Sequence, residues 1–235
     1  MGAKAARKDE GGVHWTQSSR RNFKFPDRFM SKTNQIPKLT LASSSPYRKE
    51  LLARLGLPFA VQAPDIDESP NPGETGRALV IRLALEKAMA VATQLPEGLI
   101  IGSDQVAVNA GQIIGKPRDR DDAIAQLTQA SGREICLYTG VALINAACGR
   151  TQSDVVIYRV RYRTLNPRQI VHYLDLEQPY GCCGSLRSEG LGIALLDSIR
   201  GDDPSALIGL PLIRLIGMLE AEGVELIPGL GLVQG

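Results

Sequence analysis

The stretch Gly98-Leu99-Ile100-Ile101-Gly102-Ser103-Asp104-Gln105-Val106-Ala107-Val108 decides how the rest of the 235-residue chain is read. Leu99, Ile100 and Ile101 form one apolar run, and Val106, Ala107 and Val108 form another. An apolar run bounded by Gly reads as a buried strand. Gly-Ser-Asp-Gln between the runs has no apolar reason to sit in a core. A carboxylate buried there without a partner costs roughly 2 kcal/mol or more. Asp104 therefore either caps a turn or has a partner, a metal or water at a cleft.

Working outward, the chain alternates short apolar runs with amphipathic segments, the pattern of an α/β fold built on one curved sheet. Residues 39–42 read as a strand. Ser43-Ser44-Ser45-Pro46 follows, with Ser45 as N-cap and Pro46 at the first helical position, and Gly56 ends that helix. A Ser-rich turn opening a helix offers N–H groups, hydroxyls and a positive dipole end to a phosphate, or caps the helix and nothing more. Arg48 in the first turn opposes the dipole, which makes sense if an anion sits there. Residues 59–61 read as a strand. Asp65, Asp67 and Glu68 then gather three carboxylates in a Pro-bounded segment, either a solvated loop or hard oxygen ligands for Mg²⁺ or Mn²⁺.

Residues 75–95 read as a long helix with Val80, Leu83, Ala84, Ala88, Val91 and Leu95 on one stripe. Lys87 falls inside that stripe and either snorkels outward or reaches a cleft. Asn109-Ala110-Gly111 reads as a turn and 112–114 as a return strand. Gly115-Lys116-Pro117 lacks the upstream Gly and following Ser or Thr of a Walker A loop. Asp119 caps a helix to Ala130. Residues 134–147 and 151–163 read as paired strands, 167–177 as a helix carrying a structural or exposed His172, and 211–222 as a closing helix ended by Gly223.

Composition is that of a globular domain, with 43% hydrophobic and 22% charged residues. A net charge of +2 gives no argument for nucleic acid. No apolar run reaches membrane-spanning length, and no apolar segment near Met1 marks a secretory signal. Cys136, Cys148, Cys182 and Cys183 show no CxxC spacing and read as reduced thiols, so a cytoplasmic location is expected. Residues 1–37 read as a disordered basic extension and 228–235 as a flexible tail, flanking a domain over 38–227. Residues 1–29 hold seven Lys and Arg against three acids, so without them the net charge falls to −2, and Met30 is a candidate start.

Arg48, Glu68, Lys87, Asp104, Lys116 and Arg187 fit poorly with packing. Two carboxylates among several cations suit a polyphosphate with a divalent metal. The stretches Leu41-Ala42-Ser43-Ser44-Ser45-Pro46-Tyr47-Arg48, Asp67-Glu68, Glu86-Lys87-Ala88, Gly102-Ser103-Asp104-Gln105, Gly115-Lys116-Pro117 and Gly209-Leu210-Pro211 resemble, in order, the Maf family of nucleoside triphosphate pyrophosphatases. The resemblance implies an elongated two-lobed α/β fold, similar to inosine triphosphatases, with a curved mixed sheet and a central cleft. It implies cleavage of a nucleoside triphosphate to monophosphate and pyrophosphate with Mg²⁺ or Mn²⁺. Asp104 would be the proton acceptor, with Glu68 and Asp104 at the metal. Lys87, Lys116, Arg48 and Ser43 would hold phosphates. Cations clustered near Asp104 would keep it ionised.

Many members carry a second Arg where this chain has Tyr47. Tyr47, Gln105 and Glu189 together resemble the branch that hydrolyses 7-methyl-GTP. Methylation at N7 makes guanine cationic, and an aromatic face attracts a cation by about 0.5–2 kcal/mol. Glu189 would accept from the guanine N1–H and amino group in a charge-assisted pair. A dTTP/UTP pyrophosphatase of the same family is the alternative within the enzyme class. A non-enzymatic nucleotide-binding regulator of septum formation is the alternative outside it, though a pure binder has no need of a carboxylate beside phosphate. The expected partner is a small nucleotide, without nucleic acid or membrane, and homodimer formation stays open.

Overall fold

A computed structural model describes residues 37–227. The expectations for the basic extension and the tail lie outside them, apart from Pro37. Seven strands form one sheet: β1 (Leu39–Ala42), β2 (Phe59–Gln62), β3 (Leu99–Asn109), β4 (Gln112–Ile114), β5 (Glu134–Asn145), β6 (Thr151–Tyr162) and β7 (Leu196–Arg200). Their order is β2-β1-β3-β5-β6-β7, with β4 hairpinned onto the end of β3. The pairs β2-β1 and β1-β3 are parallel, and every other pair is antiparallel. Five α-helices accompany them among the described residues: α1 (Pro46–Ala53), α2 (Gly76–Ala92), α3 (Arg120–Ala130), α4 (Pro167–Glu177) and α5 (Leu212–Ala221). The mixed-sheet α/β class expected from the sequence is the one observed.

The two faces of β3 explain the central stretch. Even-numbered residues face α2, whose Val80, Leu83, Ala84, Ala88 and Val91 cover Ile100, Val106 and Ala142. Odd-numbered residues face the other way. There Leu99, Ile101, Val141 and Leu143 pack under α1 and α5, while Ala107, Ile135 and Leu137 pack under α3 and α4. Ser103, Gln105 and Thr139 form a polar belt between these two cores.

The central strand is continuous, as the mid-strand reading of Asp104 requires. Gly102 to Gln105 do not interrupt β3. They run through one continuous strand, with Gly102, Ser103 and Asp104 all buried. The absence of a side chain at Gly102 lets the α2 backbone lie directly on the strand: a Cβ there would fall onto the Ala84 carbonyl oxygen and 2.9 Å from the Ala88 nitrogen. Ser103 is in the core because its one hydroxyl proton has two carbonyl acceptors in reach, Gly140 (2.7 Å) and Gly209 (2.9 Å), which satisfies it there. One element without a sequence reading is β7, whose mixed sequence Leu196-Asp197-Ser198-Ile199-Arg200 carries no alternation signal and pairs at the sheet edge beyond β6.

Candidate active site

Asp104 stands opposite Gly140 on β5, on the face that α2 covers, and is 6% exposed. α2 approaches closely because Gly102 and Gly140 present no side chains to it. That approach settles Lys87: it does not snorkel outward but is 4% exposed, with Nζ 2.6 Å from Asp104 Oδ1. The same ammonium lies 2.8 Å from Oε1 of Glu68, which reaches in from the segment after β2. Three ionised groups thus converge on one point at the cleft floor. Burial pushes the Glu68 carboxyl up, but the hydrogen bond from Lys87 and the charges of Lys87, Lys116 and Arg48 outweigh it and hold the group below its usual 4.5.

That balance gives a pH expectation. A carboxyl whose folded pKa is depressed contributes its ion pair above 4.5 and loses it as pH falls through the lower, folded value. Glu68 should stay ionised through the neutral range. Carboxyl ¹³C shifts should show its midpoint below 4.5 in the wild type and moving upward in Lys87→Met. An unmoved midpoint would mean that Lys87 does not hold Glu68.

The Ser-rich turn caps α1 as its sequence predicts. Ser45 Oγ accepts from the Arg48 amide at 3.4 Å. Ser43 Oγ accepts from the Ser45 amide (3.1 Å) and Arg48 Nη1 (3.4 Å), and Ser43 is buried. Ser45 rather than Ser43 lines the cleft, so Ser43 braces the turn from behind. Arg48 Nε donates to the Gly209 carbonyl at 2.8 Å. Gly209 adopts φ 121°, a left-handed conformation that only glycine takes without strain, and so aims one carbonyl at both Arg48 and Ser103.

The cleft encloses about 340 Å³, within the range of small-molecule sites. Glu68, Lys87, Asp104, Arg48 and Lys116 line one part of it. Tyr47, Gln105 and Glu189 line it too, as do Leu79, Leu83, Ile113 and Cys182, which sequence reasoning did not assign to the site because apolar residues and reduced thiols carry no such signal. Gln105 differs from its expected role in one respect. The two N–H groups of its amide face three acceptors, Thr139 Oγ1 (2.9 Å) and the carbonyls of Ala206 (2.8 Å) and Leu207 (3.2 Å), and so hold the 206–207 segment. Burial, followed by the neighbouring Cys182 thiol, pushes the Tyr47 hydroxyl up and keeps it neutral. The Arg187 guanidinium lies 5.7 Å from the Tyr47 ring centroid.

Among the described residues no three His, Cys, Asp or Glu side chains cluster as a ready-made metal cage. Glu68 and Asp104 nevertheless aim carboxylate oxygens at one cation position, the place Lys87 Nζ now takes. Two carboxylates fit Mg²⁺, which takes the rest of its octahedron from water and substrate phosphates.

The family model described as Maf-like protein matches residues 38–222. The 7-methyl-GTP pyrophosphatase of Alcanivorax borkumensis is 55% identical over 83% of this chain and 98% of its own length. Those of Nitrosococcus oceani and Pseudomonas syringae pv. tomato are each 56% identical, over 80% and 81% of this chain and 94% and 99% of theirs. A solved structure, the Staphylococcus aureus Ham1 protein, aligns at 15% identity with a TM-score of 0.39 over 54% of this chain and 72% of that one, a likeness too slight to carry weight. With a family match spanning the whole of the sheet and the cleft that crosses it, the chain belongs to the Maf family.

Proposed function

We propose that the protein hydrolyses 7-methyl-GTP to 7-methyl-GMP and pyrophosphate. The observation that carries the reading is the junction of Asp104, Lys87 and Glu68 in a cleft that Tyr47 and Glu189 also line. The triphosphate lies along Lys87, Lys116, Arg48 and the Ser43–Ser45 turn. Its charge competes for Lys87, which frees Asp104 to orient a water for in-line attack on the α-phosphorus. The water oxygen bonds to that phosphorus, its proton passes to Asp104, and the α–β bridging bond breaks with its electrons leaving on pyrophosphate. The three cations offset the charge that develops on the phosphoryl oxygens. A divalent cation held by Glu68 and Asp104 would neutralise phosphate charge when bound. No described helix is long and apolar enough to cross a membrane. The four free cysteines support a reducing, cytoplasmic setting.

At the base end, Tyr47 supplies an aromatic face for the cationic ring and Glu189 a charged acceptor for its donor edge. Pyrophosphate release from 7-methyl-GTP, GTP, dTTP and UTP with Mg²⁺ or Mn²⁺ tests the assignment. Tyr47→Ala should raise KM for 7-methyl-GTP by the loss of stacking, roughly 1–3 kcal/mol. Glu189→Gln should raise it as well, and both losses should be smaller for dTTP and UTP. Uniform losses across the four substrates would return the pyrimidine reading to first place, and no release from any of them would favour a regulator.

A further inference from the structure

We infer that Arg187 is a positioning residue for base selection, an inference that rests on the 7-methyl-GTP reading above. Nothing in the chemistry assigned so far uses this guanidinium, yet it touches both proposed base-reading groups. It lies 5.7 Å from the Tyr47 ring centroid, and its Nε stands 3.6 Å from Glu189 Oε1. Its Nη1 is 2.9 Å from Oε1 of Glu177 on α4. That Nε is buried and has no hydrogen-bond partner among the described residues, so a small shift of Glu189 toward it would complete the pair.

Arg187 is pinned rather than poised to leave. Its amide donates to the Tyr173 hydroxyl at 3.0 Å, and its carbonyl accepts from the amides of Gly190 (3.2 Å) and Gly192 (3.1 Å). Glu177 is fixed in turn, because Oε2 accepts from the Leu191 amide at 2.6 Å and the carboxylate fills the space a Cβ on Gly190 would need. A cation held at backbone and side chain alike is a fixture of the site. It backs the Tyr47 ring from the Glu177 side and sets the lateral position of Glu189.

Charge balance gives this arrangement its selectivity. Glu177, Arg187 and Glu189 together carry −1, so one cationic base brings the group to neutrality and a neutral base does not. Removing Arg187 would leave −2 at the base end, which by charge alone favours the cationic base, so a rise in KM reads the lost positioning of Tyr47 and Glu189 and not the change in charge.

The experiment compares steady-state kinetics of wild type, Arg187→Met, Arg187→Lys and Glu177→Gln on 7-methyl-GTP and GTP, with melting temperatures alongside. In Arg187→Met we expect KM for 7-methyl-GTP to rise about tenfold, with the loss concentrated in KM rather than kcat and the preference over GTP narrowed. Arg187→Lys keeps the charge without the planar fork and should fall between. Glu177→Gln loosens Arg187 without removing it and should shift KM the same way by less, which keeps the test open if Arg187→Met folds poorly. An unchanged KM and preference overturns the inference. So does a lower KM, which would mean that Arg187 competes with the base. If wild type prefers another nucleotide, the substrate reading fails on its own, and the same KM comparison on that nucleotide still decides the role of Arg187.

Discussion

Asp104→Asn should retain nucleotide and lose turnover. General-base catalysis contributes typically 10²–10⁴-fold, or about 2.7–5.5 kcal/mol, and an amide cannot take the proton. The substitution is nearly isosteric, and Lys87 does not become an orphan charge, because Glu68 Oε1 still lies 2.8 Å from its ammonium. The several-kcal/mol penalty of breaking a buried pair is thereby softened, and a modest loss of melting temperature is expected. With one carboxylate fewer, Lys87 is less neutralised, so in metal-free buffer, where the proposed role of Asp104 as a metal ligand does not enter, the triphosphate should bind at least as well as to wild type. The measurements are kcat by pyrophosphate release and Kd by titration with 7-methyl-GTP. A variant keeping more than about a tenth of wild-type kcat, a barrier change under roughly 1.4 kcal/mol, would remove Asp104 from the role of base.

Much of this architecture was legible in the chain. Local signals placed α1, α3 and α4 within a few residues, because each opens on its own punctuation: Ser45 and Pro46, Asp119, and Pro167. The polar residues that fitted poorly with packing do meet in one cleft, Arg187 beside it. What stayed illegible depends on which backbone lies against which. Lys87 reads equally as a snorkelling or an inward lysine until Gly102 and Gly140 are known to sit beneath α2. Gln105 reads as a substrate ligand, but its N–H groups go to carbonyls 101 and 102 residues away, a pairing with no local trace. Arg187 is similar: its partner Glu177 lies on the preceding helix, and only the fold of the 185–192 segment turns the two toward each other.

Gly102→Ala tests the joint between fold and site, and its effect should be large. In an ordinary strand position this change helps by roughly 0.5–1 kcal/mol, because alanine loses less freedom on folding. Here the new methyl would fall onto the Ala84 carbonyl oxygen and lie 2.9 Å from the Ala88 nitrogen and 3.0 Å from the Ala88 Cβ. These are helix backbone atoms and a stub side chain, so no flexible tip can swing aside, and α2 itself must move. Overpacking of this kind costs about 1–3 kcal/mol and sometimes more, and we expect the upper end. For a chain of this size that is a fall in Tm of about 6–12 °C. Ala84 and Ala88 bracket Lys87, so the shift carries the ammonium away from Asp104, and a displacement near 1 Å can cost about 10²-fold in turnover. Gly217→Ala on α5 is the matched control, because nothing lies within 4 Å of its Cβ position. It should raise stability by about 0.5–1 kcal/mol and leave kcat/KM alone. Thermal melts and kcat/KM for both variants decide the matter. A Gly102→Ala protein as stable and active as wild type would mean that α2 does not rest on β3 there, and the buried Lys87–Asp104 pair would lose its structural basis.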